Sequence, residues 1–301
     1  MEAKVLSFQK NQALGIVQIC TDNKDTFSYI PGDAAIKEKK IEVMEISESG
    51  SVNNINILNH SKDFVFFMDG DILVGAKQNR VLNTSVLLFP ESKTNIPVSC
   101  IESGRWRYSG TRFSGSDYSA PLQMRSAKAH QVKKNLEMKE AYEADQGIIW
   151  NRVSGYEKSY KAFSETSNLS DIYDSNKDNF ESFIKIFECE KDANGIAVFM
   201  KNKLLSLDFF NRTDIFNGYF PKILKGAAME AYSMKDTEKS MEEAEAKYKA
   251  LDFFDKFDTM KIDIHKGVCA GEERRFETEE LTGFELVYND NLIHLTALNL
   301  K

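Results

Sequence analysis

Lys77, Gln78, Asn79 and Arg80 stand side by side between apolar runs, and Glu102, Arg105 and Trp106 follow the next strand-like run. Lys and Arg pair with phosphate or carboxylate groups. Gln and Asn offer donors and acceptors together to an amide, ribose or base edge, and a Trp face can stack on a ring. From Lys77 to Arg112 six basic residues accompany two acidic ones, a local charge of +4 in a chain of net charge −7. A basic patch on an acidic protein points to a small anionic ligand. Structural roles compete with each assignment. The same charge count fits scattered surface arginines, Gln78 and Asn79 can close a buried loop, and Trp106 can cover a core edge.

Alternation gives the carboxylates of this region a direction. Ile96, Val98, Cys100 and Glu102 share one strand face, so Glu102 ends an apolar row. Glu45 likewise follows Ile41 and Val43 on one face. An inward carboxylate has a raised pKa unless a cation pairs with it, and Lys77, Arg80 and Arg105 are at hand. Glu102 is therefore the candidate general acid or base, or one half of an ion pair that fixes strand register. Cys100 alternates with Ile96 and Val98 and reads as a small buried hydrophobe rather than a nucleophile.

Other chemistries lack their signatures. The histidines His60, His130, His265 and His294 have no zinc-ligand spacing, and Asp69 and Asp71 flank a glycine without the later ligands of a calcium loop. No metal is expected. The chain has no phosphate-binding P-loop, no dinucleotide glycine motif and no nucleophile elbow, so no cofactor is expected either.

Four runs carry a likeness to a known family: GAKQNRVLNTSVL, IPVSCIESGRW, GIAVFMKNKLLSLDFF and LTGFELVYNDNLIHL. In this order, and from about Pro31 to Leu298, the chain resembles the ARG-and-Rhodanese-Phosphatase-superfamily-associated protein domain. That family's name records genomic company with ADP-ribosylglycohydrolases and related enzymes. The resemblance implies a link to ADP-ribose or nucleotide metabolism by association. It also tilts Lys77 through Arg80, Glu102 and Arg105 towards a site, while the two later runs, which hold Asp208 and His294, match more loosely.

A length of 301 residues with 42% hydrophobic residues suffices for a sizeable core. A sequence pI near 5.4 argues against general nucleic-acid binding. The apolar run from Ala13 to Cys20 has eight residues, short of the ~20 needed to span a bilayer. Four scattered cysteines read as reduced thiols in the cytoplasm. The oligomeric state is not legible.

The expected fold class is α+β. Residues 1–120 read as a β-sandwich-like half, with strands at Leu14–Cys20, Ile41–Ile46, Val52–Leu58, Phe64–Met68, Leu82–Phe89 and Asn95–Ile101 and a brief helix at Asp33–Lys40. Tyr108–Pro121, rich in Ser and Gly, reads as a linker, or as a flap carrying Arg107 and Arg112 over a site. Residues 121–301 read as an α+β half packed against the first in one unit. Apolar spacing predicts helices through Ile149–Phe163, Phe180–Phe187 with an Asp178/Glu181 capping box, Phe216–Ala231, and Thr237–Phe257 with Met241, Ala244, Tyr248 and Leu251 on its inner side.

Gly195–Phe210 aligns without gaps on Gly283–Leu298, with three identities in sixteen positions. Both read as β-hairpins. If they are neighbours in one sheet, Asp208 and His294 can meet as a carboxylate–imidazole pair; the alternative is a turn-capping Asp and an edge His.

Two functions from different classes follow. One is binding of an anionic, ADP-ribose- or nucleotide-like metabolite by Lys77, Gln78, Asn79, Arg80, Arg105 and Trp106. The other is a hydrolase or transferase acting on such a ligand, with Glu102 as acid or base and Asp208 or His294 assisting. A structural interaction module would leave the same cluster as ion pairing.

Overall fold

A computed structural model describes residues 3–21, 27–139, 141–234 and 241–301. The chain begins with a hairpin, β1 (Ala3–Asn11) and β2 (Leu14–Thr21). It continues through β3 (Tyr29–Pro31), α1 (Gly32–Lys37), β4 (Ile41–Glu45), β5 (Asn54–Asn59), β6 (Phe64–Phe67), β7 (Asp71–Gly75), β8 (Arg80–Leu82), β9 (Val86–Leu88), β10 (Ser92–Cys100) and β11 (Phe113–Ser119). Helices α2 (Leu122–Lys139), α3 (Gln146–Tyr160), α4 (Leu169–Ser175) and α5 (Lys177–Ile184) follow. The hairpin β12 (Gly195–Met200) and β13 (Lys203–Phe210) leads into α6 (Thr213–Ala231) and α7 (Glu243–Phe257). The chain closes with β14 (Asp263–Lys266), β15 (Glu272–Glu277), β16 (Leu281–Tyr288) and β17 (Asn291–Asn299). No helix among the described residues is long and apolar enough to cross a membrane.

The fold is α+β, with strands β3 to β11 forming a sandwich. A six-stranded sheet, ordered β11-β7-β8-β10-β5-β4, faces a three-stranded sheet, β3-β6-β9. Ile41, Val43, Ile55, Ile57, Leu82 and Ile96 from the first interleave with Val65, Phe67, Val86 and Leu88 from the second. These are alternate residues of short strands, so the pattern legible in the sequence is the one that builds this core.

The larger sheet has eight strands ordered β1-β2-β12-β13-β17-β16-β15-β14, and it curls into a half-barrel. The β1–β2 hairpin, grouped by position with residues 1–120, is hydrogen-bonded here to β12. The sandwich is thus spliced into this sheet's connectivity between β2 and β12. One sheet face packs Ile19, Phe199, Leu207, Phe209 and Leu295 against α7; the other meets α2 and α6.

The two aligned hairpins, β12–β13 and β16–β17, lie side by side through β13 and β17. Ser206 is opposite Leu298, Asp208 opposite Thr296, and Phe210 opposite His294. In the alignment Ser206 corresponds to His294, Phe210 to Leu298, and Asp208 to Thr296. Exchanging the hairpins therefore returns the same pairs, and Asp208–Thr296 maps onto itself. Both hairpins also slip register at matching points, between Val198 and Phe199 and between Leu286 and Val287. The residues bulged out, Leu205 and Ile293, are each other's equivalents. Strict strand alternation would put them on the face of Leu207 and Leu295; the bulges turn them to the opposite core instead.

Several elements depart from the sequence reading. Leu82–Phe89 is not one strand: β8 and β9 belong to different sheets. The stretch expected as a linker contains β11, an edge strand paired to β7 and packed on α1 and α6. Its polar composition reflects that edge position, since only Phe113 and Ser119 are buried. Helix α5 starts from Asn176 without a side-chain cap, so the Asp178/Glu181 box is absent. Helix α6 begins at Thr213, ahead of the expected Phe216, with Pro221 inside it. Tyr248 is 67% exposed, because α7 turns Ala246, Ala250, Phe253 and Phe254 to the sheet. The larger aromatic face wins. Residues 237–240, included in that predicted helix, lie outside the described residues. Phe163 falls beyond the left-handed cap of α3 at Lys161 and is 82% exposed.

Gly70, between β6 and β7, has φ +83°, and a Cβ there would lie 2.9 Å from Cγ of Arg125. Gly70→Ala is expected to cost at least about 1–2 kcal/mol in urea unfolding, from left-handed backbone strain alone. Gly218→Ala, in α6 with nothing within 4 Å, should be neutral or stabilise by up to about 1 kcal/mol.

Candidate functional site

The turn between β7 and β8 delivers the Lys77–Arg80 run, and the end of β10 delivers Glu102. Glu102 is 3% exposed and Glu45 7% exposed, so both point inward as strand parity requires. Every bond to Glu102 is charge-assisted. Arg105 grips it from two sides, Nε to Oε1 at 2.8 Å and Nη2 to Oε2 at 2.7 Å. The Asn79 N–H and the Thr166 hydroxyl donate to it as well. Burial pushes the carboxyl up, but Arg105, Thr166 and the Asn79 N–H together hold it below its ordinary value. Asn79 also ties the turn to α4, donating to Asn168 Oδ1 at 3.2 Å and Ser170 Oγ at 3.3 Å.

Beside this knot lies a second one. Arg80, fully buried, donates to Gln78 Oε1 at 3.1 Å, to Cys100 Sγ, and to Glu45 at 3.4 Å. Burial raises the Cys100 thiol to about 11, which keeps it protonated and inert. Arg80 and Lys77 also donate to backbone carbonyls of loop 46–53, Arg80 to Ser51 O at 3.2 Å and Lys77 Nζ to Ser49 O at 2.9 Å. The Lys77 ammonium sits 5.4 Å from the Trp106 ring and 5.0 Å from Tyr108. Both rings are close to half exposed, at 45% and 46%. Gly50 at the loop tip has φ +76°, with its Cβ position 3.0 Å from Lys77 Cδ and 3.3 Å from Trp106. Only a residue without a side chain fits so closely over the cation and ring. Beneath the loop, Glu45 Oε2 and Arg80 Nε have no hydrogen-bond partner among the described residues.

Asp208 and His294 belong to a different cluster, where the eight-stranded sheet meets the sandwich. His294 Nε2 is 3.5 Å from Asp208 Oδ1, so the two side chains do meet across β13 and β17. At that length the contact is electrostatic, and Nε2 makes no hydrogen bond. On the other side of the ring Nδ1 is 3.0 Å from Ser85 Oγ, which accepts from the Asp69 N–H. Ser85, His294 and Asp208 thus line up like a hydrolytic triad with the ring nitrogens exchanged. All three are buried, however, and the space beyond Asp208 is filled by Arg125.

Arg125, on α2, is the centre of this cluster. Its guanidinium bonds Asp69 at 2.8 and 3.0 Å, Asp208 at 2.6 and 3.0 Å, and the Thr296 hydroxyl at 3.1 Å. Burial would push the Asp208 carboxyl up, but the charge of Arg125 holds it well below the usual carboxylate range. Asp69, Asp208 and His294 bring ligand atoms within 4.8 Å of one another, near enough for a metal ion. Arg125 already occupies all four carboxylate oxygens, so the cation this site holds is a guanidinium. One turn along α2, Lys128 is buried with its Nζ on the Leu82 carbonyl, and burial pulls it down to about 7. Lys222 pairs with Asp71 at 2.8 Å and with Asp33, and Glu273 pairs with Arg275 at 2.6 Å.

The candidates therefore divide between two places. Lys77, Gln78, Asn79, Arg80, Glu102, Arg105 and Trp106 form one surface-adjoining group, and Asp208 with His294 forms part of a sealed interior one. Arg125, Lys128 and Ser85 went unremarked in the sequence. Asp69 and Asp71 were legible as turn residues, and nothing in α2 marks a charged residue as buried.

A model of the ARG and Rhodanese-Phosphatase-superfamily-associated Protein domain matches residues 2–298 of the chain. No curated protein and no solved structure matches it.

Replacing Arg125 by Met leaves two buried carboxylates facing each other. The loss should reach about 3–5 kcal/mol or more, and a triple variant that also carries Asp69→Asn and Asp208→Asn should recover part of it. Lys128 adds a pH signature. Its folded pKa, about 7, lies below its ordinary value of 10.5, so between those limits the unfolded chain binds the extra proton. Stability from this group rises with pH across that window and is flat below it. Urea titrations at pH 7 and pH 9 should show that gain in the wild type and a smaller one in Lys128→Met.

Proposed function

We propose, for a chain that belongs to the ARG and Rhodanese-Phosphatase-superfamily-associated Protein domain family, that it binds a phosphate-bearing metabolite of the nucleotide or ADP-ribose kind beneath loop 46–53. One observation carries the reading: Lys77 and Arg80 place donors on carbonyl oxygens of a single surface loop. A phosphate offers these cations an opposite charge, and the Arg80 fork a bidentate partner, that a neutral carbonyl lacks. A phosphate therefore competes well for these donors, taking the places of Ser49 O and Ser51 O. Trp106 and Tyr108 supply half-exposed faces beside the cations for a base or sugar ring. The +4 segment steers an anion towards them.

Asn79, Glu102 and Arg105 act as supports in this reading. With both oxygens of Glu102 engaged, it holds the loop after β10 rather than moving a proton. This favours a binding protein over a hydrolase or transferase built on Glu102. The four cysteines are unbridged, which supports a reducing, cytoplasmic setting.

Thermal unfolding with ADP-ribose, ADP, ribose 5-phosphate and inorganic phosphate at low ionic strength tests the proposal. Free ligand at one hundred times its Kd should stabilise the protein by about 2.7 kcal/mol. Lys77→Met should abolish the shift with every ligand. Trp106→Ala should weaken the nucleotides and spare inorganic phosphate. Absence of any shift, or full binding by Lys77→Met, refutes the reading.

A further inference from the structure

A cavity of about 270 Å³ opens where α2, α3 and α6 meet. It shares no lining residue with the loop 46–53 region. Its floor is Glu230 of α6, only 7% exposed. Glu230 Oε1 accepts from the Tyr156 hydroxyl at 2.7 Å and from the Gln123 N–H at 3.0 Å. Arg152, on the same helix as Tyr156, lines the cavity and donates Nη1 to Gln123 Oε1 at 2.8 Å. A fixed carboxylate and a fixed guanidinium thus border one small space, with Gln123 bonded to both.

Gly155 adds an independent observation. It lies inside α3, where a glycine weakens a helix, and a Cβ there would meet nothing within 4 Å. No packing need explains it, yet it lines the cavity between Arg152 and Tyr156. A large side chain there would therefore project into the cavity.

We infer that this cavity binds a small zwitterion of the amino-acid class, with its ammonium towards Glu230 and its carboxylate towards Arg152. A pure cation would suffer from Arg152 and a pure anion from Glu230; a zwitterion meets both. The volume lies just under the ~300–1,000 Å³ usual for drug-sized ligands, which suits a small metabolite. The Tyr156 ring gives the ammonium an aromatic neighbour. Burial holds the Glu230 carboxyl above its ordinary value, with Tyr156, Gln123 and Arg152 offsetting part of the rise. An ammonium partner would favour the ionised form further.

The test is calorimetric and thermal-shift titration of the full chain with the L-amino acids at millimolar concentration. Each hit is compared with the amine lacking its carboxylate and the acid lacking its amine. At least one amino acid should bind, and both single-charge analogues should bind about tenfold or more weakly, a difference of about 1.4 kcal/mol. Gly155→Leu should abolish binding while keeping a melting temperature at or above the wild type's, since leucine favours the helix. Glu230→Gln should weaken the amino acid but not the deaminated acid, and Arg152→Met should do the reverse with the amine. The inference is overturned if no amino acid binds, if a single-charge analogue binds as tightly, or if Gly155→Leu binds like the wild type.

Discussion

The guanidinium of Arg125 joins at one point three parts of the fold that also share one apolar core. Asp69 belongs to the turn after β6 in the sandwich, Asp208 and Thr296 to the central strands of the eight-stranded sheet, and Arg125 itself to α2. Two carboxylates brought this close repel each other unless a cation lies between them. The planar fork of Arg serves both at once, which the point charge of Lys does not. Buried charge of this kind is weak evidence for net stability, because desolvation offsets much of the attraction. Its effect is on arrangement: the docked sandwich is the one in which Asp69 reaches the guanidinium.

The two polar clusters of the molecule differ in how their charges are closed. In the interior, Arg125, Lys222 and Arg275 end on carboxylates and Lys128 on the Leu82 carbonyl, all of them shielded from solvent. Around the β7–β8 turn, Arg105 ends on a carboxylate while Lys77 ends on a carbonyl of an outer loop. A neutral acceptor is the weaker partner and the easier one to displace. On the proposed reading, the first cluster orders the fold and the second exchanges partners with a solute.

Much of this was readable in the residues, and the failures share a cause. The sandwich strands announced themselves because one face of each is apolar, and parity then gave the inward direction of Glu45 and Glu102 correctly. The hairpin alignment brought Asp208 and His294 together although they lie far apart in the chain. Helix α2 escaped notice because its inner face carries Arg125, Ser126 and Lys128 beside Met124 and Ala129, which erases the apolar stripe that signals a buried helix. Strand β11 escaped for the complementary reason, since an edge strand has little to bury. For α7 the apolar residues allowed two faces, and only the sheet beneath it decides between them.

The local twofold relation of the two hairpins sets a rule for the residues on its axis. A position that pairs with its own counterpart is destabilised by the same charge on both copies, because two acids would then sit directly opposite each other in the sheet. Asp208 and Thr296 occupy that position, one charged and one a hydroxyl, and a single guanidinium contacts both. Repeating the acid in both hairpins would set two like charges face to face at the seam, where the halves touch most closely. The likeness of the hairpins survives in backbone features that carry no charge, the shared opening glycine and the matched bulges. Symmetry here is a property of the chain's path, and the asymmetry of its side chains is what allows the path to close.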